Sequence, residues 1–258
     1  MNLYSQQLPS VQEQPAAQQP ALQAVDEKPP TDLNNDNGMV SWLLIGDKLA
    51  EHMTSLGVES GFAEKWTSAA EERSGVYPRF KSFRTGTNRR AAVLFLPCIP
   101  FLQTAYLYLL APDDHAWKVS DKLELDCHYD DNVSFEIDSI IDPQRDEIEI
   151  HHACGGHGTG YLEQNFSVYS VAVKKFKLEM ETDEVLHEHP AGGSPLELDQ
   201  SSTFTTIPIT GSRLRVIEET RRQIRNGKLT VHRRLFRWNP AHARYEPSPF
   251  ALIEAATK

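Results

Sequence analysis

The chain has 258 residues, 40% hydrophobic and 24% charged, with a formal net charge of −10. That length allows one large domain or two small ones with a real core, and the acidic balance argues against a general affinity for nucleic acid or anionic membranes. Three cysteines exclude a disulfide scaffold and leave at least one thiol free in a monomer, so they decide little about compartment.

Residues 1–37 hold seven Gln and five Pro with a single Lys and no Arg. Such a segment cannot bury enough apolar surface to offset the entropy of ordering, which predicts a disordered tail or tether. It lacks the apolar run after a basic start that marks a secretory signal, although Gln/Pro-rich spacers often follow a cleaved or lipid-anchored start in bacterial envelope proteins. From Met39 the pattern becomes helical. Trp42, Leu43, Ile45, Leu49, Met53 and Leu56 recur at spacings near three and four, predicting one amphipathic helix that stops at Gly57, and Phe62 and Trp66 suggest a second over 60–72. The expected organisation is a tail over 1–37, a helical segment over 38–75 and an antiparallel β domain over 76–258.

Residues 91–111 contain no charge, and 21 residues could span a bilayer as a helix. Pro97, Pro100 and Gln103 oppose that, while Val93, Phe95, Tyr106 and Tyr108 favour strands. Two buried strands, 91–96 and 102–110, joined by a Pro-Cys-Ile-Pro turn, are the preferred reading over a membrane span. Beyond Pro112 the chain alternates. Leu123, Leu125, Cys127 and Tyr129 share a face, then Val133, Phe135 and Ile137, then Ile148 and Ile150, and finally Phe176, Leu178 and Met180, with Glu179 and Glu181 turned outward. Short links make these antiparallel neighbours in a meander. On that layout Cys127 and Cys154 lie two strands apart, about 10 Å, too far for a disulfide. The fold class is mainly β (α+β), an antiparallel meander sheet or sandwich with an N-terminal helical segment. Residues 186–202 read as a loop. Asn226-Gly227 predicts a type I′ hairpin turn between strands 214–224 and 229–238.

Candidate chemistry centres on 148–160. Ile148, Ile150, His152 and Cys154 fall on one side of a strand and Glu147, Glu149 and His151 on the other; the plain reading is a half-buried strand closed by a glycine turn. The sharper reading is a zinc or copper site from His151, Cys154 and His157, weakened by the absence of any second ligand pair, so no cofactor is the expectation. His187-Glu188-His189 lacks the four-residue interval of the zincin helix and reads as solvated. Eight arginines and Lys228 fall between Arg213 and Arg237 against two glutamates. Arg222, Arg225, Lys228 and Arg234 are therefore candidate anion-binding residues, with a solvated strand face as the simpler alternative.

The strand and glycine loop from His152 to Gly160, the Val168–Val171 strand and the closing Arg234–Trp238 segment with Tyr245 resemble uncharacterised β-rich proteins predicted to be exported in bacteria. The resemblance implies an extracytoplasmic, envelope setting and carries no activity or catalytic residue across. No Gly-x-Ser-x-Gly elbow, Ser-x-x-Lys or kinase motif is present. The expected function is a β-rich binding or structural domain of the bacterial envelope that contacts another protein or an envelope polymer. The alternative is a metal-dependent or other hydrolase using the His/Cys/Gly loop.

Overall fold

The structure is a computed structural model, and it describes residues 28–30, 32, 34–73, 76–87, 89–99, 102–114, 116–126, 132–156, 161–188 and 198–257. The expected tail falls almost wholly outside them. Helices come first: α1 Asp36–Leu43, α2 Leu49–Leu56 and α3 Ser60–Glu71. Asn35 caps α1, its side chain accepting the Gly38 N–H at 2.8 Å. The single helix expected over 39–56 is two, because the backbone turns at Gly46, which sits at φ 54°. The apolar spacing survives that break, and Trp42, Leu43, Met53 and Leu56 are all buried together. Gly57, at φ 103°, ends α2 in the left-handed conformation that the sequence demands of it.

Four strands, β1 Arg79–Gly86, β2 Arg89–Leu96, β3 Thr104–Asp113 and β4 Ala116–Asp126, form a first antiparallel sheet in the order β1-β2-β3-β4. Its centre explains the uncharged run. Ala92, Leu94 and Leu96 of β2 pack against Met53 and Trp66 of the helices, while Ala91, Val93 and Phe95 pack against Ile148 and Ile150 of a second sheet. A strand covered on both faces has no use for alternation. Among the described residues no helix is long and apolar enough to cross a membrane.

The second sheet is the expected meander. Its strands are β5 Asn132–Asp138, β6 Glu147–Gly156, β7 Tyr161–Ala172, β8 Lys175–Glu188, β9 Leu198–Ile207, β10 Val216–Arg225, β11 Lys228–Asn239, β12 Arg244–Pro247 and β13 Ala251–Thr257. Each of β5 to β12 pairs with the next, and β13 returns to β11 beside β12. The sheet curls until β12 meets β8, so that Phe166, Val168, Met180, Ile217, Phe236 and Tyr245 share one core on the concave side. The fold is therefore mainly β with antiparallel sheets and helices near its N-terminus.

Three expectations need correction. The strand bearing Leu123 and Leu125 belongs to the first sheet and does not pair with β5. The loop expected over 186–202 shortens at both ends, since β8 runs to Glu188 and β9 starts at Leu198; residues 189–197 lie outside the described residues. In β8 the simple alternation fails at a bulge, where Val168 pairs with Met180 but Tyr169 pairs with Leu178. Glu179 is the extra residue, and it turns inward beside Met180, at 1% and 2% exposure, while Leu178 is left at 37%. Cys98, just after β2, is disulfide-bonded, which the sequence reading did not anticipate. The expected absence of a bond between Cys127 and Cys154 concerns Cys127, outside the described residues. Its premise of one meander fails, because β4 ends the first sheet at Asp126 and position 154 lies in the second.

Candidate functional site

The histidines of β6 diverge as a strand requires. His151 lies on the concave face, where its Nδ1 meets Glu184 Oε2 at 2.7 Å and its ring stands 5.1 Å from that of Phe166. Glu184 is the extra residue of a second bulge in β8, opposite Gln164 and Asn165, and it also accepts from the Gln164 side-chain amide at 2.6 Å. The Glu184 hydrogen bond holds the His151 imidazole above its ordinary range. Burial pushes the neighbouring Glu149 carboxyl up to about 6, helped by Glu136 across the strand pair and opposed by His151. The register of β6 against β7 is unbroken from 148 to 156, so positions 151 and 154 fall on opposite faces of the strand. The third proposed ligand, His157, and the side chain of Cys154 lie outside the described residues. Among the described residues no group of three His, Cys, Asp or Glu is arranged to hold a metal ion. Downstream, His187 pairs with Asp199 at 3.0 Å; His189 is outside the described residues.

The basic run is split by the same period. Thr220, Arg222 and Ile224 point one way from β10, and Glu219, Arg221, Gln223 and Arg225 the other. Register then places Arg225 and Arg234 with Lys228 on the concave side, while Arg222 is on the convex side, so the four candidates do not form one stripe. Arg234 is also already committed. Its Nε donates to Glu219 Oε2 at 2.6 Å, and its Nη2 donates to Thr182 Oγ1 at 2.5 Å. Arg221 and the Ser202 hydroxyl donate to the other Glu219 oxygen, at 2.9 and 2.6 Å. Glu219 is fully buried, and Phe250 roofs the arrangement with its ring 4.6 and 4.2 Å from the two guanidinium carbons.

A second buried set lies at the other end of the curl. Glu147, also fully buried, accepts from the backbone N–H groups of Ile140 and Ile141 at 3.0 Å each and from Arg145 Nε at 2.8 Å. Burial nevertheless pushes its carboxyl up to about 7. Arg145 reaches on to Glu179, which is held by Ser170 and Lys177. The sequence reading placed Glu147 and Glu149 on a solvent face; the curl of the sheet and the 139–146 segment cover that face instead. Both sets hold the sheet together by internal pairing.

A different group of charges lies at the open end of the first sheet. Where the open ends of β2 and β3 meet the β7–β8 turn there is a cleft of about 440 Å³, in the size range of small-molecule sites. Arg89, Arg90 and Lys174 line it together with Pro112, Val171 and Val173. Among the described residues none of the three cations is in an ion pair. Arg90 shares the helix-facing side of β2 with Ala92 and Leu94, where its Nη2 donates to Ser82 Oγ at 2.8 Å and its Nε has no acceptor among the described residues, so the cations left to the cleft are Arg89 and Lys174. A second cavity of about 670 Å³ shares Arg89 and Arg90 and adds Thr87, Pro143, Gln144 and Arg84, the last bound to Asp146 at 2.6 Å. The sequence reading missed this site because its cations come from two distant stretches, neither of them a motif. The one local signal is Arg89-Arg90 at the head of the uncharged run. Comparisons with protein-family models, with curated proteins and with solved structures find no match to this chain.

Proposed function

We propose that this protein is a binding domain, working in an oxidising compartment such as the bacterial envelope, that takes an anionic ligand in the cleft between its two sheets. The observation that carries the reading is the pair Arg89 and Lys174 lining a partly apolar cleft with no ion-paired acid among the described residues. Cations left unpaired beside apolar walls repel one another and gain from an anion of matching size. Glu147, Glu179, Glu184 and Glu219 on the concave face are, by contrast, already hydrogen-bonded to their neighbours, which favours recognition over catalysis. The Cys98 disulfide supports the compartment, since such bonds persist where thiols are not kept reduced.

Titration with 8-anilinonaphthalene-1-sulfonate, an apolar sulfonate that fluoresces on leaving water, tests the site. A saturable signal is expected, reduced at least tenfold in affinity by Arg89→Glu combined with Lys174→Glu. An unchanged titration in that double variant would overturn the reading. For the compartment, thiol counting on denatured, unreduced protein is expected to find one reactive thiol, rising to three after reduction; three from the outset would remove the support of the disulfide.

A further inference from the structure

The turn that forms the lip of the cleft is built against its own backbone. Val173 and Lys174 are the two central residues of the β7–β8 hairpin and sit at φ 52° and 61°, the conformation a type I′ turn demands and Asn-Gly supplies. Valine is among the residues least suited to it, because a β-branched side chain crowds the backbone at positive φ. This valine is also 96% exposed, so no packing among the described residues repays the strain. Strain held at the rim of a site points outward, toward what the site binds. Immediately behind it run Val171 and Pro112, and beside it Lys174. Arg89, which completes the cationic lining, also borders the second cavity, where Thr87 and Gln144 lie.

Resting on the anion-binding reading above, we infer that the ligand is a single-chain amphiphile with an anionic head. Its apolar chain lies in the first chamber against Val171, Pro112 and the exposed Val173. Its charge sits at Arg89 and Lys174. Whatever hydrated group extends from the head occupies the second chamber beside Thr87 and Gln144. An inorganic anion would leave the apolar wall and the strained valine without a role, and a neutral amphiphile would leave Arg89 and Lys174 without a counter-charge.

Isothermal titration below micellar concentrations, with octyl phosphate, hexyl phosphate, inorganic phosphate and octyl glucoside, tests this on the full chain. Octyl phosphate is expected to bind one per chain, at least tenfold tighter than inorganic phosphate or octyl glucoside. Each added methylene between hexyl and octyl should raise affinity about fourfold. Val173→Asn, which suits the turn and so preserves the fold, should weaken octyl phosphate severalfold and leave inorganic phosphate unchanged. If inorganic phosphate binds as tightly as octyl phosphate and both respond to Arg89→Glu with Lys174→Glu, the amphiphile inference falls while the anion cleft stands. If octyl glucoside matches octyl phosphate and neither responds to that charge reversal, or if none of the four probes binds, the inference is overturned; the sulfonate titration then decides separately whether an anion cleft survives.

Discussion

Two hairpins of the large sheet share a turn geometry and little else. In β10–β11 the turn residues are Asn226 and Gly227, at φ 52° and 71°. The register from Ile217 opposite Phe236 to Arg225 opposite Lys228 runs without interruption. In β7–β8 the turn residues are Val173 and Lys174, and the register slips twice, at Glu179 and Glu184. The first hairpin keeps its register throughout, and both its glutamates pair with its own arginines. The second breaks the rules in three places, and two of those breaks turn a glutamate onto the concave face while the third presents an apolar side chain to solvent. Departures from local preference thus gather on one hairpin, the one that borders the cleft.

The sharpest way to break this comparison is to open the internal pairing of the regular hairpin. Glu219→Ala leaves Arg221 and Arg234 facing each other in a half-buried site with their shared acceptor gone. Removing one partner of a buried ionic group is expected to cost about 3–5 kcal/mol, read as a fall in the urea midpoint. A loss below about 1 kcal/mol would mean that water replaces the carboxylate and that the set is not structural.

A smaller effect of opposite sign is expected at the other turn. Val173→Asn with Lys174→Gly gives β7–β8 the residues that β10–β11 already has. Relieving a left-handed valine should stabilise the fold by about 1–2 kcal/mol, seen as a higher melting temperature. The reciprocal change, Asn226→Val with Gly227→Lys, should destabilise it by a similar amount. If the first double variant melts no higher than the wild type, the turn holds no strain and the contrast between the hairpins loses its meaning.

The same contrast governs what could be read in the sequence. Asn226-Gly227, the Gly57 stop and the apolar spacing from Trp42 to Leu56 are local signals, and each is found where expected. The meander over β5 to β8 and the β10–β11 pair followed from strand alternation and short links, whereas β9 and β12 were not expected as strands. Alternation is silent about which sheet a strand joins, and so Leu123 and Leu125 were assigned the wrong neighbours. It also assumes that every residue advances the pleat by one face. A bulge violates that assumption and leaves no composition signature, so Glu179 read as an outward residue although it is nearly fully buried. The cleft was hidden for a third reason. Arg89 and Lys174 are more than eighty positions apart in the chain, and only the packing of the two sheets brings them to one opening. Their lack of acid partners is a property of the fold that no spacing rule expresses.

The smallest expected effect concerns the second bulge, and pH resolves it. Its hydrogen bond to Glu184 holds His151 above the ordinary imidazole value of 6.5. That part of the stability is fully present below about pH 6.5 and is lost as pH rises through the raised folded value. Burial alone would raise Glu184, but its bonds to His151 and Gln164 bring it below the ordinary 4.5. Its contribution is therefore present above about pH 4.5 and is lost as pH falls through the lowered folded value. The pair should stabilise most between these limits. Glu149, raised to about 6 on the same face, adds a second drift, since a carboxyl held protonated by folding costs stability as pH rises from 4.5 toward 6. The informative quantity is accordingly the difference between the wild type and His151→Gln. It should be largest near about pH 5.5, stay under about 1 kcal/mol for a pair that is partly exposed, and shrink toward about pH 9. A difference that is flat across this range would show that the bulge at Glu184 is maintained by backbone pairing alone, and that only the Glu179 slip has an electrostatic reason to exist.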